Sequence, residues 1–138
     1  MVGPYSHSML ITGKGHPNVT SKHPTTIAFT RDPEITPRGD CFVAVACEWD
    51  VGPAFLKELR SATKATVTIE CGGHTETITG SGHPGLTLSD NDLVIRKSDW
   101  VDGRTLLIAA DKAAKDLDKE LVQCLKQALP VKITVTTG

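Results

Sequence analysis

The sequence predicts a strand-rich α+β domain built from two similar halves. Three observations predict it. A decapeptide recurs: residues 11–20 read ITGKGHPNVT and residues 78–87 read ITGSGHPGLT, identical at seven of ten positions at an offset of 67. After each copy, β-rich runs, an amphipathic helical stretch and a final strand follow in the same order. The length of 138 residues, with 39% hydrophobic and 22% charged residues, suits one compact domain. The repeat is expected to span residues 5–71 and 74–138, each half ordered β-β-β-α-β, giving about ten short strands and two helices in a barrel or in stacked sheets.

Each element has a local reason. SMLIT (8–12) and TETIT (75–79) lead into the Gly-His-Pro turns. TTIAFT (25–30) and DLVIRK (92–97) follow them. CFVAVAC (41–47) and TLLIAAD (105–111) are unbroken apolar runs, as expected of strands covered on both faces. The first helix is expected to start at Gly52-Pro53, because proline suits the first helical turn, with Phe55, Leu56, Leu59 and Ala62 as its apolar stripe. The second is expected to start near Asp111, an N-cap residue. Its stripe would be Ala114, Leu117, Leu121, Cys124, Leu125 and Ala128, with Asp111–Lys115 and Lys112–Asp116 pairs on the wet side and a stop at Pro130. ATVTIEC (65–71) and VKITVTT (131–137) alternate β-branched residues at period two. A strand–helix–strand passage within one sheet is expected to cross right-handed.

Charge and composition restrict function. Fifteen Lys and Arg balance sixteen Asp and Glu, a net charge of −1, which argues against a broad nucleic-acid face while leaving a local basic groove open. Aromatic residues, at 4%, provide little for base stacking. No run approaches the ~20 apolar residues of a membrane span, and residues 1–11 lack a basic stretch followed by an apolar core. The expected compartment is therefore the cytoplasm, with no membrane partner. Cys41, Cys47, Cys71 and Cys124 form no CxxC pair and read as small buried hydrophobes, with a Cys47–Cys71 bridge between neighbouring strands left open.

The candidate site residues gather around the first turn. In Gly15-His16-Pro17-Asn18 and Gly82-His83-Pro84-Gly85, a stiff turn holds a histidine at a strand end. Such a histidine can serve as acid, base or metal ligand, or can simply bond the turn's backbone. Lys22, His23, Thr25 and Thr26 follow the first turn, whereas the second is followed by the far less polar Leu86-Thr87-Leu88-Ser89. Arg38-Gly39-Asp40 precedes one apolar strand, and Asp102-Gly103-Arg104 precedes its counterpart. Both arginines suit phosphate or carboxylate, and either could instead sit in a turn with a local ion pair. Asp90-Asn91-Asp92 offers oxygens but lacks the glycine and distant glutamate of a calcium loop. No GxxxxGK[ST], GxGxxG or GxSxG occurs, which argues against nucleotide-dependent and serine-hydrolase chemistry.

The runs GKGHPNVTSKHPTTIAFTRDPEITPRGDCFVAVA and GSGHPGLTLSDNDLVIRKSDWVDGRTLLIAADKAAKDL resemble the archaeal domain-of-unknown-function 371 family, some members of which carry the label endonuclease. The resemblance implies an archaeal source and assigns no residue a catalytic role. Three functions are expected to compete. In a phosphodiester hydrolase, His16 would act as base or metal ligand, with His23 and Asp40 assisting. Lys22, Arg38 and their neighbours Asn18, Thr25 and Thr26, with His83 and Arg104 in the second half, would hold substrate. A divalent metal would be the cofactor, though no HxxxH, HExxH or HxD spacing names its ligands. In a binding module, the same groups would hold a small phosphorylated or carboxylated anion without catalysis. In an assembly protein, both turn histidines would be sealed by hydrogen bonds.

Overall fold

In the computed structural model, residues 8–138 are described; the expected start of the repeat at residues 5–7, with His7, lies outside them. The elements are β1 (Ser8–Lys14), β2 (Thr26–Thr30), β3 (Phe42–Glu48), α1 (Pro53–Ser61), β4 (Ala65–Cys71), β5 (His74–Gly80), β6 (Asp92–Arg96), β7 (Thr105–Leu107), a single 3-10 turn (Ala114–Asp116), α2 (Lys119–Lys126) and β8 (Pro130–Thr137). Eight strands therefore form among the described residues, where about ten were expected, and they join one sheet in the order β5-β4-β8-β1-β3-β2-β6-β7.

Period-two alternation made β4 and β8 legible, and they pair antiparallel along their whole length, Ala65 opposite Thr137 and Cys71 opposite Val131. The inward rows Val67, Ile69, Val131, Ile133 and Val135 are buried. β4 turns into β5 through Gly72 and Gly73, both at positive φ (58° and 82°), as the tight two-residue hairpin requires. β3 is covered on both faces, with Val43, Ala44 and Val45 all fully buried. β2 pairs parallel with β3, and β6 parallel with β7. These parallel pairs are joined by plain loops, 31–41 and 97–104, where a helix would ordinarily cross over. The sheet's two edge strands approach through one antiparallel bridge, Ser81 to Ile108, whose N–H groups exchange hydrogen bonds of 2.8 and 3.0 Å.

Four expectations are corrected. The helical passage from β3 to β4 is no parallel crossover: β3 is antiparallel to β1, β1 to β8 and β8 to β4, so β3 and β4 run in opposite senses. The second helix begins at Lys119, not near Asp111. Asp111 accepts the Thr79 N–H (2.9 Å) and Lys112 reaches the Thr77 carbonyl (2.9 Å) and Glu76 (2.8 Å), so side chains that would have paired along a helix are drawn onto β5. Asp116 pairs with Lys97, and Asp118 caps the true helix by accepting the Leu121 N–H. The strand expected over 105–111 stops at Leu107. Finally, β3 and β4 are separated by β1 and β8, so Cys47 and Cys71 do not lie on neighbouring strands, and all four cysteines are free.

α1 starts as expected, with Gly52 as N-cap and Pro53 in the first turn, and buries Phe55 and Leu59. α2 buries Leu121, Val122 and Leu125. Both helices close over one core that includes Ile11, Ile27, Phe29, Leu93, Ile95 and Leu106. Among the described residues, no helix is long and apolar enough to cross a membrane.

Candidate functional site

The Gly-His-Pro turns are built alike. The Gly15 N–H donates to the Leu129 carbonyl (2.9 Å), just beyond α2, and the Gly82 N–H donates to the Ala62 carbonyl (3.0 Å), just beyond α1. A Cβ at either glycine would overlap a helix carbonyl, that of Leu125 or Leu59, so only glycine lets strand end and helix end approach this closely. The next turn is closed by Val19 N–H on the His16 carbonyl (3.0 Å) and by Leu86 N–H on the His83 carbonyl (3.1 Å).

Each ring is tied down through Nδ1. His16 Nδ1 accepts the Asn18 N–H (3.0 Å), and His83 Nδ1 accepts the Gly85 N–H (2.8 Å). His23 Nδ1 accepts the Thr26 N–H (3.1 Å) and the Thr25 N–H (3.2 Å), with the Thr26 hydroxyl at 2.9 Å. A backbone donor aimed at Nδ1 places the neutral ring's proton on Nε2. All three rings thus offer a hydrogen there rather than a lone pair. The Nε2–H of His16 is already directed at Glu34 (2.8 Å), and the ring is largely covered while the glutamate is exposed.

The segments that follow the first turn converge on His23. The Lys22 and His23 N–H groups both donate to the Asp40 carbonyl (3.1 and 3.2 Å), which draws the Arg38-Gly39-Asp40 turn against them. From the other side, the Lys115 N–H donates to the His23 carbonyl (3.1 Å) and the Lys97 N–H to the Thr25 carbonyl (3.0 Å). Lys22, Arg38 and Lys115 are exposed, and none forms an ion pair among the described residues. Asn18 is used structurally, its amide donating to the Ile35 carbonyl (2.9 Å).

Arg104 sits 3.9 Å from Asp92 and 4.0 Å from Asp102. Asp102 also receives Arg96 (3.0 Å) and the Arg104 N–H (2.9 Å). Partial burial pushes the Asp102 carboxyl up, but the Arg104 N–H and the Arg96 guanidinium outweigh it and hold it below its ordinary range. Burial pushes the Cys41 thiol up, and Cys47, deeper in the core, is pushed up to about 12.

Backbone hydrogen bonds bring the segment carrying Lys22, His23, Thr25 and Thr26 against Asp40, two residues after Arg38, and the fold separates the two turn histidines. His16 follows Lys14, which pairs with Pro130 at the start of β8. His83 follows Gly80, which pairs with Ala65, itself opposite Thr137 at the end of β8. The turns leave opposite ends of the sheet, roughly 20 Å apart along a strand, so no single cleft at one sheet end holds both rings.

One acidic group beside the first turn, Glu34, escaped the sequence reading. Glu34 joins Asp32 and Asp92 around a cavity of about 200 Å³. One Asp92 carboxylate oxygen is fully buried without a hydrogen-bond partner among the described residues. The Asp90-Asn91-Asp92 run carried a signal for Asp92; nothing local marked Glu34, whose neighbours in the chain form an exposed loop.

Comparison with known proteins adds family information. Residues 11–138 match the family described as Domain of unknown function (DUF371). An uncharacterised protein from Methanocaldococcus jannaschii is 41% identical over 122 residues, covering 86% of this chain and 90% of the relative.

Proposed function

The chain belongs to the DUF371 family, an assignment that names no activity, and from the site geometry we propose that it is a binding module for a small phosphorylated or carboxylated anion. The carrying observation is the cluster around His23. Lys22, Arg38 and Lys115 hang from segments bonded to one another through the Asp40 and His23 carbonyls, and no carboxylate pairs with them among the described residues. His23 adds a fixed Nε2–H donor. A site of fixed donors and unpaired cations attracts anions without further reorganisation. Thr25 and Thr26 anchor the ring, while His83 lies in the counterpart Gly-His-Pro turn and Arg104 is engaged with Asp92 and Asp102.

The second reading, a phosphodiester hydrolase with His16 as base or metal ligand, His23 and Asp40 assisting and a divalent metal, asks for a ring lone pair. Nδ1 of His16 is engaged by a backbone donor, so Nε2 would first have to lose its proton. Thermal-shift titration with inorganic phosphate and with citrate separates the readings. The binding module shows a saturable rise that weakens with added salt and disappears in Lys22→Ala/Arg38→Ala, and it leaves DNA and RNA intact with divalent metal. A flat response overturns it, and nicking that is lost in His16→Ala transfers the assignment to the hydrolase.

The same paired contacts support a tandem duplication of residues 5–71 and 74–138. Residues related by 67, Ser21 and Leu88, both carry positive φ (54° and 49°). Gly13 and Gly80, also 67 apart, abut the Val45 and Ile108 carbonyls in the same way. Ala46 N–H on the Asp32 carbonyl (2.8 Å) is matched by Ala109 N–H on that of Ser98 (3.0 Å), and both alanines have positive φ. Ala46 and Ala109 stand 63 apart, so the match there allows for a connection four residues shorter, and positive φ at non-glycine residues is uncommon enough that such matches support a common origin.

A further inference from the structure

We propose that His74, Asp118 and Glu120 bind one divalent transition-metal ion. The three supply one imidazole nitrogen and two carboxylates, with ligand atoms all within 4.8 Å of one another. Around a shared ion at about 2.0–2.2 Å, such atoms stand roughly 3 Å apart, a closure that small rotations of the two exposed carboxylates achieve.

The ligands come from two elements held in place by separate means. His74 opens β5 and is fixed by the hairpin, opposite Cys71. Asp118 is the N-cap of α2; the oxygen that accepts the Leu121 N–H (3.0 Å) orients the carboxylate, leaving the other oxygen to coordinate. Glu120 lies in the first turn of α2, with Oε2 at 3.4 Å from His74 Nδ1. That separation exceeds a charge-assisted hydrogen bond of about 2.7–2.9 Å, so the two groups make a long ion pair when the ring is protonated and a contact an ion could replace when it is neutral. A mixed nitrogen and oxygen set completed by water suits zinc, cobalt or manganese rather than calcium or a thiolate-preferring ion.

Two thiols border the set. Cys124 is one helical turn beyond Glu120, and its sulfur lies against Gly72 at the hairpin tip, beside Cys71. The proposed ion would join the hairpin to α2, an interface distinct from the His23 cluster. It therefore stands or falls apart from the anion-binding reading.

The test titrates the full chain, stripped with a chelator, with Co²⁺ and Zn²⁺ by calorimetry, and follows Co²⁺ by its electronic spectrum. One ion per chain is expected, bound through nitrogen and oxygen without a thiolate charge-transfer band. His74→Ala and Glu120→Gln should each weaken binding about tenfold or more, and the metal-induced rise in melting temperature should vanish in both. His23→Ala should bind like the parent. Circular dichroism establishes that each variant is folded. Absence of saturable one-to-one binding overturns the site, as does parental affinity in folded His74→Ala or Glu120→Gln. A thiolate band abolished by Cys124→Ser would also overturn it in favour of a cysteine site.

Discussion

Single residues set the tightest constraints where backbone meets backbone. Gly15 and Gly82 each lie against a helix carbonyl that no side-chain rotation can move. Alanine at either should cost about 1–3 kcal/mol or more, read as a lowered urea midpoint; an unchanged midpoint in both would show that strand and helix ends can separate freely. Asp102 gives a pH prediction. Its carboxyl is held below its ordinary value, so its contribution is present above the unfolded value of about 4 and is lost as pH falls through the lower folded value. The stability gap between the parent and Asp102→Asn should therefore be widest near neutrality and close in acid. A gap constant with pH would mean that the Arg96 and Arg104 contacts act without charge. At this scale the turns were legible in the sequence because glycine and proline dictate backbone locally. The tautomers of His16, His23 and His83 were not, because they depend on which N–H groups the folded turn brings to Nδ1.

At the scale of elements, α1 and α2 differ in how they begin. Asp118 caps α2 with a side-chain oxygen, whereas Gly52 caps α1 in extended backbone with no side-chain bond. An added Cβ at Gly52 meets nothing within 4 Å. Gly52→Ser should therefore raise stability by a few tenths of a kcal/mol, visible as a small upward shift of the melting temperature; a fall would mean that the new hydroxyl cannot reach the first-turn N–H groups. Strand positions were readable because β-branched alternation is a local signal. The start of α2 was not, since both Asp111 and Asp118 are good N-caps and the choice was made by β5. The strand captures Asp111 and Lys112 and leaves the chain free to turn helical only after Asp118.

Over the whole molecule, the two halves are interleaved. β4 lies between β5 and β8, and β8 lies between β4 and β1, while β2 pairs with β6 across the same boundary. Neither half keeps all its strands together: β1-β3-β2 is cut off from β4 by β8, and β5, β8 and the β6-β7 pair lie apart from one another. Fragments 1–71 and 74–138 should each be largely unstructured by circular dichroism and regain strand signal on mixing, and a fragment that melts cooperatively alone would contradict this. The sequence by itself determined the two Gly-His-Pro turns, most strand positions, the start of α1 and the polar bias toward the first turn, because these rest on periodicity, turn chemistry and composition within a few residues. Only the tertiary structure decided strand order, the placing of the two turn histidines at opposite ends of β8, the backbone bonding of the Lys22-His23 segment to Asp40 and Lys115, and the meeting of His74 with Asp118 and Glu120. Each of these joins residues distant along the chain, and hydrophobic periodicity carries no record of which strand becomes another's neighbour.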